Sequence, residues 1–168
     1  MVTLITGGIK SGKTSYAIKL ALTHEKRIYL ATAEPFDEEM KKKIERHRAE
    51  RENRFYTIEE PVEIVRVLKN IKNYDVVVLD CITTWVNNLM YYKKDLDSYF
   101  EELTNLLPKV SYNLIIITNE VGLGIVPVNY ETRKYVNFLG VINQKVAAAA
   151  NSCLLMVSGI PVKIKEEK

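Results

Sequence analysis

Hydrophobic positions along the chain fall into two kinds of segment that alternate. Short apolar runs at Val2–Thr6, Arg27–Ala31, Asp75–Asp80, Tyr112–Thr118 and Ser152–Val157 read as strands. Longer stretches between them carry apolar residues at helical spacing: Lys13–Thr23, Pro61–Ile71, Thr83–Tyr92, Leu96–Leu107 and Asn129–Ala150. Asp37–Arg54 reads as a further, charged helix, and Val162–Ile164 as a short last strand. Pro61 suits the first turn of its helix, and Pro108 ends the helix before it. The run Val76–Leu79 is apolar without a break, the pattern of a strand buried on both faces. Such alternation predicts an α/β fold, with a mostly parallel sheet and helices on both faces. Ligands of such sheets gather at the C-terminal ends of the strands. Gly7, Ala31–Ala33, Asp80 and Asn119–Gly124 each follow a strand end, so they are expected to converge there.

Composition narrows this picture. At 168 residues, with 47% hydrophobic and 27% charged positions, the chain fits one globular domain over 1–168 and excludes a disordered polypeptide. No apolar run approaches the ~18 residues of a membrane span. The chain passes straight into MVTLITGG, so no secretory leader is expected and the protein reads as cytoplasmic. A net charge of +3 gives no concentrated basic face, which argues against a nucleic-acid partner. Cys81 and Cys153 lie within or beside apolar runs and read as buried, reduced thiols. Together with His24 and His47 they offer no recognisable zinc spacing.

The strongest chemical signal is Gly7, Gly8, Ile9, Lys10, Ser11, Gly12, Lys13 and Thr14, which match GxxxxGK[ST] at every position. The segment follows a strand and opens a helix, the context that a phosphate-binding loop requires. Glycines let backbone N–H groups turn onto phosphate oxygens, and the helix N-terminus adds a favourable dipole. Lys13 supplies a point charge to the β- and γ-phosphates, and the Thr14 hydroxyl can ligate Mg²⁺. Asp80 ends an apolar strand, where a carboxylate serves as a second Mg²⁺ ligand or as the N-cap of the helix that follows.

His47 is the other candidate. Met40, Ile44, His47 and Arg51 share one helical face, and Arg46 and Arg48 flank the histidine. Neighbouring cations disfavour imidazolium, which keeps the ring neutral and nucleophilic, and the same cations suit a polyphosphate. From spacing alone, the simpler reading is a surface histidine on a solvated, salt-bridged helix.

Several segments together carry a more specific resemblance. GGIKSGKT, YLATAEP, DEEMKKKIERHRAER, DCITTWVNNL, TNEVGLGIVP, NQKVAAAA and MVSGIPVKIK occur in this order over nearly the whole chain. The sequence resembles the CobU-type bifunctional adenosylcobinamide kinase / adenosylcobinamide-phosphate guanylyltransferases of cobalamin biosynthesis. That resemblance implies a RecA-like P-loop NTPase fold, a homotrimer, GTP, ATP and Mg²⁺ as cofactors, and adenosylcobinamide and its phosphate as substrates. It places a guanylylated histidine at His47. The nucleotide contacts it implies are Gly7–Thr14, Ala31, Thr32, Ala33, Arg48, Ala49, Glu50, Arg51, Glu59 and Asp80. The chain departs from the family pattern in four places. Arg46 stands where a second histidine is common, Phe55 replaces a Trp, and Asp80 replaces a Glu. Val136 and Asn137 replace an Arg-Asp pair.

Glu120 reads equally as a base or ligand and as a loop carboxylate capping backbone N–H groups. Two other functions are compatible with the phosphate loop: a monofunctional small-molecule kinase, and a non-enzymatic nucleotide- or RNA-binding module. Against the module stand six acidic residues on the same charged helix and no interleaved aromatics.

Overall fold

The computed structural model describes residues 1–35 and 52–166. Among these residues seven strands form one sheet: β1 (Val2–Gly7), β2 (Arg27–Ala31), β3 (Tyr56–Glu59), β4 (Val76–Asp80), β5 (Asn113–Ile117), β6 (Ser152–Val157) and β7 (Ile160–Glu166). Their order is β3-β2-β4-β5-β1-β6-β7, parallel throughout except for β7, which pairs antiparallel with β6. Five α-helices lie among the described residues: α1 (Lys13–Ala21), α2 (Ile64–Asn70), α3 (Ile82–Tyr91), α4 (Leu96–Leu106) and α5 (Tyr130–Ala149).

The unbroken apolar strands do what their composition requires. In β4, Val77 and Leu79 face one core while Val76 and Val78 face the other. The larger core takes Ile64, Val65 and Leu68 of α2, Trp85 and Leu89 of α3, Phe100 and Leu103 of α4, and Leu139 and Ile142 of α5. On the opposite face Ala17 and Ala21 bring α1 close to the sheet. Helices therefore cover both faces, as the alternation predicts. Side-chain caps fix two helix starts: Asp95 accepts from the Ser98 N–H before α4, and Asn129 from the Thr132 N–H before α5.

Three elements differ from the sequence reading. β3 carries no strong signal, because two of its four residues are exposed and two half-buried at an edge, and among the described residues it pairs only with β2. β7 is seven residues long rather than three. A two-residue turn at Ser158 and Gly159, both at positive φ, folds the chain back and lets β7 lie along the whole of β6. The helix expected from Pro61 begins instead at Ile64. Before it, the Glu60 carboxylate accepts from the N–H groups of Val62 and Glu63 and holds a turn. Most of the charged helix expected at Asp37–Arg54 lies outside the described residues, and Glu52–Arg54 form a single 3-10 turn. No helix among the described residues is long and apolar enough to cross a membrane.

The aromatic centre of the larger core allows a direct test of packing. Phe100 is fully buried, with its ring 5.9 Å from that of Trp85, the single tryptophan. Phe100→Ala is expected to lower stability by about 3–5 kcal/mol through lost burial and a residual cavity. Urea denaturation followed by Trp85 fluorescence measures this; an unchanged midpoint would mean that the core does not depend on this contact.

Candidate functional site

β1 delivers the chain into the phosphate loop at a crowded point. Gly7 has φ +146°, and a Cβ there would lie 2.5 Å from the Met156 carbonyl oxygen of β6. Gly12 has φ +93°, and a Cβ there would meet the Gly159 Cα at 3.1 Å. Only glycine satisfies both the backbone angle and the close approach. The turn between β6 and β7 braces the loop from outside, where the Gly159 N–H donates to the Ser11 carbonyl at 3.0 Å.

Helix α1 starts at Lys13 with no side-chain cap and no acidic residue in its first turn. Its leading N–H groups and dipole are thus available to an anion. Lys13 is buried, and its Nζ donates to the carbonyl oxygens of Gly7 at 3.0 Å and Gly8 at 2.6 Å. The cation is thereby held inside the loop that a polyphosphate would occupy. Ser11 Oγ, also buried, has no hydrogen-bond partner among the described residues.

Parallel register sets the neighbouring chemistry. Glu59, Ala31, Asp80 and Ile117 form one row across β3, β2, β4 and β5 at the strand ends. Residues paired in register point to the same face of a sheet. Glu59 therefore stands on the Asp80 face, separated from it by β2. Asp80 Oδ2 accepts from the Thr14 hydroxyl at 3.2 Å and also from the Tyr29 phenol. The carboxylate thus faces the phosphate loop, and of its two readings the N-cap is not observed. Cys81 occupies the cap position of α3, which has no side-chain cap.

Thr14 and Asp80 supply hard oxygen donors of the kind Mg²⁺ takes. Among the described residues no group of three or more His, Cys, Asp or Glu could hold a metal by itself. One hydroxyl and one carboxylate beside a phosphate seat fit a cation shared between protein and nucleotide, the usual mode for Mg²⁺.

Thr32 has a different part from a simple contact. It is fully buried, its N–H donates to the Asp80 carbonyl, and its hydroxyl exchanges hydrogen bonds with the Cys81 N–H and carbonyl. This ties the ends of β2 and β4 together. Ala31 and Ala33 remain half-buried on either side of it. Asn88 of α3 then binds the carbonyls of Thr32 and Pro61 at 2.8 and 2.9 Å. Just past β5, Thr118 donates to Asn143 of α5 at 2.7 Å, and Asn143 donates to the Asn119 carbonyl at 3.1 Å. Sequence reasoning missed Tyr29, Asn88 and Asn143. A polar group on a helix face or within a strand carries no local sign that its partner lies on another element.

Glu120 takes the capping role of its two readings. Its carboxylate accepts from the Gly122 N–H at 2.9 Å, and its own N–H donates to the Gly7 carbonyl. The loop that follows exposes Leu123, Ile125, Val126 and Val128 almost completely. Phe55 is buried against the edge of Tyr29, so its ring serves the protein interior. Val136 is half-buried and Asn137 exposed on α5. Both cysteines are free. Burial, and for Cys81 the adjacent Asp80 charge, pushes their thiols above the ordinary range, which keeps them protonated. His47, Arg48, Ala49, Glu50 and Arg51 lie outside the described residues.

Comparison with known proteins agrees with this geometry. The RadB recombinase superimposes with a TM-score of 0.54 at 19% identity, covering 92% of this chain and 73% of that one. An ATPase from a type III secretion system of pathogenic bacteria gives a TM-score of 0.55 at 10% identity, over 92% of this chain and 50% of the other. At such identities the likeness concerns the fold, which is that of P-loop NTPases. Sequence relatives are much nearer. The bifunctional adenosylcobalamin biosynthesis protein CobU of Escherichia coli is 35% identical over 181 residues, covering 98% of this chain and 100% of the relative. Its counterpart CobP of Pseudomonas aeruginosa is 34% identical over 168 residues, covering 98% and 97%. The profile of the cobinamide kinase / cobinamide phosphate guanyltransferase family matches residues 3–164, and the chain belongs to that family.

Proposed function

We propose that this chain moves the γ-phosphate of ATP or GTP onto the aminopropanol hydroxyl of adenosylcobinamide, then joins GMP from GTP to the phosphate so formed. The observation that carries the kinase reading is Lys13 held inside the phosphate loop beside the Thr14–Asp80 pair. Family membership supports the substrate and the second activity, since the relatives from Escherichia coli and Pseudomonas aeruginosa are both named as bifunctional.

In the kinase step the loop N–H groups and Lys13 bind the β- and γ-phosphates and neutralise charge as the γ-phosphoryl group transfers. Mg²⁺, when bound, offsets further charge on the same phosphates, and Thr14 and Asp80 are the residues that would hold it. The resemblance implies that Glu59, on the same sheet face, and Ala31, Thr32 and Ala33 at the strand ends contact the rest of the nucleotide; with Thr32 buried and bonded to Asp80 and Cys81, its part there is to hold the strand ends. The exposed apolar loop after Glu120 starts from a residue bonded to Gly7 of the phosphate loop, and an apolar surface of this kind suits a large macrocyclic substrate.

For the second step the nucleophile is His47. A ring-nitrogen lone pair forms a bond to the α-phosphorus of GTP, and the bond to the bridging oxygen breaks with loss of pyrophosphate. A phosphate oxygen of adenosylcobinamide phosphate then attacks the same phosphorus, and the N–P bond breaks. Splitting one transfer into two in this way is the gain of covalent catalysis. Arg48 and Arg51, with Ala49 and Glu50 between them, complete the nucleotide-contacting set that the resemblance implies. We also assign the protein to a homotrimer on that resemblance, and to the cytoplasm, which suits its two free cysteines.

Four outcomes test this reading. Lys13→Ala should lower phosphoryl transfer by about three orders of magnitude or more while the thermal midpoint is kept. Near-normal kinase activity would show that the loop is not the catalytic phosphate seat. His47→Ala should abolish the acid-labile GMP adduct seen by mass spectrometry after incubation with GTP and Mg²⁺, and leave the kinase step largely intact. In the unmodified protein, adduct formation should fall on acidification, because imidazolium has no lone pair to offer. Protein-bound GMP at the normal rate in His47→Ala would move the nucleophile elsewhere. Light scattering should give three times the 19.3 kDa chain mass at micromolar concentration, and a monomer alone would remove the trimer.

A further inference from the structure

Tyr29 lies in the middle of β2 and is buried, yet it carries a hydroxyl that the core does not need. Its ring packs on Phe55, with centroids 5.9 Å apart and planes at 80°. The Arg27 guanidinium lies 5.9 Å from the Phe55 centroid. Phenylalanine would fill the same space and make the same aromatic contact. The only group that tyrosine adds is the phenol, and that phenol donates to Asp80 Oδ2.

Sheet register explains why these two side chains meet. Tyr29 pairs with Val78, and Asp80 lies two residues further along the same face of β4. Diagonal neighbours of this kind are about 7–8 Å apart at Cα, within reach of an aromatic side chain. The Oδ2 atom that accepts from the phenol is also the one that accepts from the Thr14 hydroxyl. Two donors from two different elements, β2 and the start of α1, therefore converge on one oxygen. The other carboxylate oxygen, and the lone pairs of the Thr14 hydroxyl, are left to other partners.

We propose that Tyr29 is a positioning residue for the nucleotide's divalent cation, its phenol fixing the Asp80 carboxylate against Thr14 so that the protein's oxygen donors are set before Mg²⁺ arrives. The proposal rests on the nucleotide-binding reading above. Without the phenol, Asp80 can leave the rotamer that faces Thr14, and re-forming that arrangement is then charged to each cation-binding event. Groups that orient metal ligands from behind commonly change metal affinity by tenfold or more when removed. Nucleotide binding without the cation should not depend on the phenol, because the phosphates are seated by the N–H groups of the loop and by the Lys13 charge.

The test is a titration of Mg²⁺ against the protein and a fluorescent GTP analogue, in the unmodified chain and in Tyr29→Phe, with circular dichroism to establish folding. Tyr29→Phe should raise the half-saturating Mg²⁺ concentration about tenfold and leave analogue binding in EDTA within twofold. In an Asp80→Asn background the same substitution should add nothing, since its effect passes through the carboxylate. Three results would overturn the proposal: an unchanged Mg²⁺ requirement in folded Tyr29→Phe, an equal loss of binding in EDTA, or a full additional effect in the Asp80→Asn background. If the unmodified chain binds the analogue with no dependence on Mg²⁺, the reading of the site itself fails, which is a different outcome from these three.

Discussion

The central strands of this sheet are buried on both faces, so their side chains have no route to water except at the strand ends. Val76, Val78, Ile115 and Ile117 face α1, while Val77, Leu79, Leu114 and Ile116 face the larger helical layer. A charged residue anywhere along these runs would lose its hydration without a partner. Polar chemistry is consequently expelled to the C-terminal edge. Because β1, β2, β4 and β5 are parallel and in register, that edge is one place. The phosphate loop, Thr32, Asp80 and Glu120 meet there because burial leaves them no other position.

At that edge each functional group is held by an element other than its own. Asp80 belongs to β4 but is fixed from β2 and α1. Its phosphate loop leaves β1 and is braced by the turn after β6, through Gly159 and the close approach to Gly12. Thr32 ties β2 to β4, and Asn143 reaches from α5 to the end of β5. Such cross-bracing matters for phosphoryl transfer, where catalysis is mostly positioning and electrostatic stabilisation and small displacements are costly.

The hairpin of β6 and β7 links the sheet edge to the phosphate seat. A Cβ on Gly7 would strike the backbone of β6, so the loop and that strand are fitted to one another at atomic separation. The hairpin register is itself set by the two-residue turn at Ser158 and Gly159. A change in that turn would be transmitted to Ser11 and Gly12, far from it in sequence but in contact with it in space.

The sequence by itself determined the alternation of elements, the parallel sheet and the phosphate loop. These are local or periodic properties: apolar continuity, helical spacing, and glycines at fixed intervals followed by Lys13 and Thr14. It also determined that Asp80 ends a buried strand. It did not separate the two roles of Asp80, or of Glu120, because each depends on which donors come near. Only the tertiary structure decided that Asp80 faces Thr14 and Tyr29, that Glu120 caps the Gly122 N–H, and that Phe55 packs inward on Tyr29. β3 and the full length of β7 were likewise hidden, since an edge strand owes its existence to the strand beside it more than to its own residues. Periodicity records which face a residue occupies; strand order and register, set by packing across the whole chain, decide which residues from other elements share that face.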